Sequence, residues 1–363
     1  MKIDILSFTA RGYALAERIH TTFTERPPQL SNGAPRLTMT VARCNEPLSL
    51  TEWTTQMFDQ SDALVFVGAA GIAVRAIAPF VKSKVTDPAV VVVDEGGSYA
   101  IPILSGHLGG ANDLARAIAE RIGATPVITT ATDVNNVFAI DEWTRKQGLV
   151  IKNTGRIKHI SASLLAGETV RVATEWPIAG TSPKGVEVEE LHRTLEGELR
   201  PLKQKPDILI TNRRDAAKLY PEALLAVPRN IVLGAGCKRN VLPVNFELLL
   251  TQILGELDLL EESIDAVGSI DIKKDEPGLL AFCTVHDWQL ITFSAARLRE
   301  VEGEFTASFF VRNVTGVDNV CERSAKLLSG GQLIKEKTTG NEVTLAAAER
   351  PLALDWTCGP EEL

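Results

Sequence analysis

Apolar and polar positions change their period along this chain, and the changes mark its elements. IDILSF (3–8), LTMTVAR (37–43), ALVFVG (63–68) and VVVVD (90–94) are short apolar runs of the kind that form strands. Between them, TARGYALAERIHTTF and LSLTEWTTQMF read as helices, and Ser49 is placed to cap the second. IPIL (101–104) is another short run. After it, Ala111, Leu114, Ala115, Ile118, Ala119 and Ile122 recur on one helical face, with Gly123 placed to end the helix. PVITT (126–130) reads as a further strand. Strands alternating with helices predict an α/β fold, here a doubly wound, mainly parallel sheet in an N-terminal domain over residues 1–140. Pro27, Pro28, Asn32, Gly33 and Pro35 predict a loop.

Residues 141–228 are punctuated by prolines and read as a small middle domain or connection, with strands at GLVIKN, TVRVATE and DILIT and a helix at RIKHISASLLAG. A C-terminal α/β domain is expected over 229–350. It opens with NIVLGAGCKRN, a strand running into a glycine loop and a basic end, and Asn245 is placed to cap the next helix. AVGSI, LITFS, TASFF, QLIKE and VTLAAA read as strands, and VDNVCERSAKLLSGG as a helix. Residues 351–363 read as a tail.

Composition narrows the classes. The 363 residues are 45% hydrophobic and 23% charged, as in ordinary globular proteins. No apolar run is long enough for a membrane helix, and the N-terminus lacks a signal-peptide layout. Five scattered cysteines without a CxxC pair argue against a disulfide framework or a thiolate zinc site, so a cytoplasmic location is expected. A net charge of −8 makes nucleic acid an unexpected partner. An anionic small ligand stays open, because local clusters decide that.

The candidate chemistry gathers in DEGGSYAIPILSGHLGGAND (94–113). Its paired glycines suggest sharp turns or close approach of backbone to a ligand. His107 is the one histidine in a glycine-lined loop. It is a candidate acid or base, or else a turn residue bonded to backbone. Asp94 and Glu95 end a strand, which suits either chemistry or turn formation. Ser98 and Ser105 lie outside any GxSxG pattern, so no acyl-enzyme is favoured. GAAGIA (68–73) and GAGCKR (234–239) follow strands, but neither is GxGxxG and no GxxxxGK[ST] occurs. A nucleotide-binding oxidoreductase is therefore the weakest reading. Arg75, one turn beyond Gly71, is either a solvent-facing residue or an anion clamp. Lys238, Arg239, Lys335 and Lys337 are solvated charges or the basic rim of a polyanion site. No metal-ligand spacing is present, so no protein-bound catalytic metal is expected.

The succession from LVFVGAAGIAVRAIAPF through VVVVDEGGSYAIPILSGHLGGANDLARAIAERIGATPVITTATD resembles the cobalt-precorrin-5A hydrolase family of the anaerobic cobalamin pathway, over most of residues 60–142. GAGCKRN, TGVDNVCERSAKLLSGGQLIKEK and VTLAAA resemble that family's C-terminal domain, although CERSA stands where the family more often has an acidic residue followed by alanines. The resemblance implies a cobalt-corrinoid substrate with a δ-lactone on the ring A acetate, opened by water with loss of acetaldehyde to give cobalt-precorrin-5B. Cobalt would arrive in the substrate, with no further cofactor. It also assigns roles as expectations. His107, with Asp94 or Glu95 nearby, would be the base, and the N–H groups of Gly109–Asn112 the oxyanion donors. Gly71, Arg75, Ser105, Gly109, Gly110, Asn112, Asp113, Gly234, Gly236, Lys238 and Arg239 would contact substrate, with the 234–239 loop facing the N-terminal site. The alternative is a non-catalytic protein that binds or transfers a corrinoid intermediate.

Overall fold

A computed structural model describes residues 1–26, 37–84, 86–194 and 197–356. The Pro27–Pro35 loop, Cys358 and the last residues of the expected tail lie outside them. The first sheet is built from β1 (Lys2–Ser7), β2 (Thr38–Arg43), β3 (Ala63–Val67), β4 (Ala89–Val93), β5 (Tyr99–Leu104) and β6 (Thr125–Pro126). Its order is β2-β1-β3-β4-β5-β6, parallel except where β5 runs against β4. Side chains alternate across the strands, so each face is apolar and needs a cover. Helices α1 (Ala10–Glu25) and α4 (Ala111–Ile122) cover Ile5, Val65, Val91 and Val93. Helices α2 (Leu50–Phe58) and α3 (Ala70–Ile77) cover Leu6, Leu64, Phe66 and Val92 on the other face. The sheet is thus doubly wound. Ser49 caps α2 in a capping box with Glu52, and Gly123 ends α4 in the left-handed region.

Two short helices, α5 (Ala131–Val134) and α6 (Ile140–Lys146), lead into the middle sheet. That sheet uses β7 (Leu149–Ile151), β8 (Val170–Thr174), β10 (Val186–Glu190), β11 (Ile208–Ile210) and β12 (Leu224–Pro228), in the order β10-β8-β11-β12-β7. Helices α7 (Ile157–Leu165) and α8 (Arg214–Leu219) and the short strand β9 (Ile178–Ala179) accompany it. The third sheet has the order β15-β14-β13-β17-β16, from β13 (Ile231–Cys237), β14 (Ile264–Ile270), β15 (Gln289–Phe293), β16 (Gln332–Gly340) and β17 (Val343–Glu349). Around it lie α9 (Pro243–Glu256), α10 (Pro277–Val285), α11 (Ala295–Arg299), α12 (Phe309–Thr315) and α13 (Cys321–Ser329).

Several expectations change. Of PVITT only Pro126 lies in a strand, the two-residue β6: Val127 makes one last bond to Ala100, and Thr130 is already the N-cap of α5. TASFF is not a strand: Ser308 caps α12, whose Phe309 and Phe310 are exposed. Asn245 does not cap α9. Pro243 occupies the first turn, and the Asn245 amide instead donates to the Asn341 carbonyl. Residues 351–356 do not hang free. β18 (Leu354–Asp355) pairs with β9, and Trp356 stacks on Trp143 with ring centroids 4.8 Å apart.

Candidate functional site

The antiparallel turn between β4 and β5 divides the 94–113 stretch. Val93 pairs with Ala100 and Val90 with Leu104. Asp94 and Glu95 therefore leave the carboxyl end of β4, while Ser105 and His107 emerge beyond its amino end. Five residues at about 3.3 Å each put roughly 15 Å between the two loops. Asp94 and Glu95 are not beside His107, which corrects the expected pairing. Asp94 accepts the N–H groups of Gly96, Ser98 and Tyr99 and so fixes its own turn. Glu95 accepts the Thr9 hydroxyl. Gly71 lies exposed at this carboxyl edge, and Arg75, also exposed, sits in the last turn of α3, where a cation suits the helix dipole.

His107 enters a different neighbourhood. Its Nε2 lies 2.8 Å from Asp133 and its Nδ1 3.2 Å from Asp141, with the side chain 10% exposed. Burial alone would lower its pKa. The hydrogen bonds and charges of the two aspartates outweigh burial and push it up to about 10. Both aspartates are held below their ordinary value: burial opposes this, and the bond to His107 overcomes it. With both ring nitrogens engaged by Asp133 and Asp141, the geometry favours a buried imidazolium over the free base expected of His107.

The rest of the loop is committed in the same way. The N–H groups of Gly110, Ala111 and Asn112 donate to His107, Ser105 and Gly106 carbonyls, so they are not open oxyanion donors. The Ser105 hydroxyl donates to the Asp87 carbonyl. At Gly109 a Cβ would lie 2.4 Å from that of Ser105, so the glycine serves the turn. The buried Asn112 amide reaches Thr130 and Asp133. Asp113 accepts from Arg116 at 3.0 Å and from Arg145, and Lys146 lies 3.6 Å away. Arg145 also donates to the His107 carbonyl, and Leu108 packs on the middle core. The stretch is a polar joint between the first sheet and α5–α6. Beside it is a cavity of about 270 Å³ lined by Arg116, Asp133, Glu142, Lys146, Phe138, Trp143 and Trp356. His107, Asp133 and Glu142 come close enough to share an ion, which spacing in the sequence did not show. Arg116 on Asp133 and Lys146 on Glu142 already supply the neutralising charge.

A larger cleft, of about 830 Å³, opens on the third sheet. Its floor is the end of β13, where Gly236, Cys237, Lys238 and Arg239 lead into Asn240. Ile270, Ile272, Phe310, Val311 and Val314 form an apolar wall. Ile272, Phe310 and Val314 are 58%, 72% and 61% exposed, which places them toward a ligand or solvent and not in the core. Lys273, Glu276 and Lys337 complete the lining. The carboxylates here are paired: Glu342 with Lys238, Glu276 with Lys273, Asp318 with Arg323 and Asp275 with Lys274. Arg239 and Lys337 have no carboxylate partner among the described residues, so the uncompensated charge is positive. Burial pushes the Cys237 and Cys321 thiols up to about 11, so both stay protonated.

Of the expected contacts in this half, Gly236, Lys238 and Arg239 reach the cleft. Gly234 does not. A Cβ there would lie 1.8 Å from the Cys321 carbonyl, because α13 presses on β13 at that point. Lys335 is drawn away to Glu256. Lys273, Glu276 and Phe310 were missed. DIKKDEPG reads as turn chemistry, and a Phe-Phe pair reads as core, so nothing in the local pattern points to a cleft.

Residues 52–133, 138–228 and 231–348 match the family models described as Cobalamin synthesis G N-terminal, Cobalamin biosynthesis central region and Cobalamin synthesis G C-terminus. The cobalt-precorrin-5A hydrolase of Salmonella typhimurium is 39% identical over 306 residues, 81% of this chain and 84% of that one. The enzyme of the same name from Priestia megaterium is 32% identical over 309 residues, 81% of this chain and 80% of its own. A solved cobalamin biosynthesis protein G homologue from Sulfolobus solfataricus is 23% identical, covering 96% of this chain and 97% of its own with a TM-score of 0.41. With three consecutive family regions matched and such identity over most of its length, the chain belongs to the cobalt-precorrin-5A hydrolase family of cobalamin biosynthesis.

Proposed function

We propose that the protein hydrolyses the ring A δ-lactone of cobalt-precorrin-5A and releases acetaldehyde, giving cobalt-precorrin-5B. The observation that carries the reading is the cleft on the third sheet. Its volume falls within the ~300–1,000 Å³ typical of small-molecule sites. Its exposed apolar wall suits the face of a flat macrocycle, since exposed apolar patches mark binding surfaces. Arg239 and Lys337 suit the carboxylates around a corrinoid's edge, where a guanidinium can bind through two parallel bonds. Gly236 lies against its cross-strand neighbour Thr344, whose hydroxyl a Cβ there would meet at 2.7 Å. Cobalt enters as part of the substrate, held by its ring nitrogens.

The chemistry balances with water alone. Water oxygen bonds to the lactone acyl carbon, the acyl C–O bond breaks, and one water proton goes to the departing oxygen. The products are a carboxylate, a released proton and a carbinol on the meso carbon. Loss of the carbinol proton then lets the C–C bond to the ring break. Its electron pair enters the conjugated macrocycle, and the two-carbon unit leaves as acetaldehyde. Purified protein mixed with the lactone-bearing cobalt corrinoid should release one acetaldehyde per macrocycle over many turnovers. Tight binding, followed by the macrocycle's visible absorbance, without acetaldehyde would establish the binding-protein alternative.

A further inference from the structure

Lys273 and Glu276 form a buried ion pair in the wall of the large cleft. Their charged atoms lie 3.1 Å apart, with the side chains 12% and 6% exposed. Glu276 also accepts the Asn240 N–H at 2.6 Å. It stands at the start of α10, where its carbonyl accepts the N–H of Leu280. The start of α10 packs closely on the segment between β13 and α9, where a Cβ at Gly278 would lie 2.0 Å from the Val241 carbonyl. The carboxylate is therefore held by the Asn240 N–H on one oxygen and the Lys273 ammonium on the other, as a preorganised group needs to be. Desolvating two charges costs several kcal/mol, so such a pair seldom adds net stability. A pair maintained in the wall of a substrate-sized cleft calls for another explanation.

Resting on the lactonase reading, we propose that Glu276 and Lys273 are the catalytic pair for lactone opening. Glu276 takes a proton from the attacking water as the water oxygen bonds to the acyl carbon. The Lys273 ammonium faces the oxyanion that forms. When the acyl C–O bond breaks, Glu276 returns its proton to the departing oxygen. One water is consumed, and the carboxylate ends as it began. Burial raises the Cys237 thiol beside Lys273, and the proposed step uses water directly, without an acyl-enzyme.

The test follows lactone opening by the mass gain of one water, and acetaldehyde separately, in wild type, E276Q and the charge-free double variant K273M/E276Q. The double variant is included because a lone buried Lys273 can unfold the single one. Both should lower kcat about 10²–10⁴-fold, the usual reach of a general base. Macrocycle affinity, read by visible absorbance, should stay within about threefold, since the pair acts mainly on the transition state. A folded double variant that opens the lactone within threefold of wild type overturns the assignment and leaves the lactonase reading intact. Wild type that never opens the lactone overturns both.

Discussion

His107 gives the sharpest physical prediction. Truncation to alanine removes the cation between Asp133 and Asp141. Asp133 keeps Arg116 and Asn112, but Asp141, about 6% exposed, loses its main partner. The histidine pKa rises from 6.5 to about 10, and at about 1.4 kcal/mol per unit the shift is worth about 5 kcal/mol. Breaking a buried pair by removing one member costs about 3–5 kcal/mol, and the lower part of that range applies because Asp133 remains paired. His107→Ala should therefore lose about 3 kcal/mol in urea unfolding followed by tryptophan fluorescence. The pH dependence has a definite sign. A raised folded pKa gives stability that is complete below about pH 6.5 and lost as pH climbs toward 10. The gap between wild type and variant should therefore shrink over that interval. The lowered aspartate pKa values add a share present above about pH 4 and lost in more acid solution. A variant within 0.5 kcal/mol of wild type, the usual scatter for surface changes, or a gap that does not change between pH 6.5 and 10, would refute the buried-cation account.

Other outcomes follow from the same geometry. Gly234→Ala should cost at least about 3 kcal/mol, or prevent folding, because the added carbon collides with the α13 backbone; thermal unfolding checks this. Arg75→Ala, at an exposed site, should stay within about 0.5 kcal/mol of wild-type stability in the same assay. Arg239→Ala should weaken corrinoid binding by about 1.5–3 kcal/mol, the range for a charge-assisted bond, in an absorbance titration, and Lys238→Ala by less because Glu342 already engages it. Chelator treatment should leave acetaldehyde release from preformed cobalt-lactone substrate unchanged, and activity lost to chelator and restored by zinc would assign an ion to His107, Asp133 and Glu142.

What could be read in the sequence divides along physical lines. Strands and helices of the first sheet were legible because their apolar residues face one core on each side, as Val65 and Phe66 do. The end of the sheet at which each loop sits was not. That depends on β5 reversing direction, and the apolar run IPIL carries no sign of strand polarity. The partners of His107 lie 26 and 34 residues downstream, in ATD and IDE segments that read as ordinary helix starts. The large cleft was half legible. GAGCKR announced its floor, but its wall comes from apolar residues of α12 that are exposed, and a reading that equates apolar with buried assigns them to a strand.

The proposed macrocycle site lies on the third sheet, and the metal carried by the substrate can report its position. Crystals soaked with a lactone-bearing cobalt corrinoid, or with an inert analogue, would give an anomalous difference map at the cobalt edge. One peak is expected inside the cleft between the end of β13 and α12, with Arg239 and Lys337 at the periphery of the ring. A peak instead beside Gly71 and Glu95 at the carboxyl edge of the first sheet, or in the cavity beside Asp133 and Trp356, would contradict this placement.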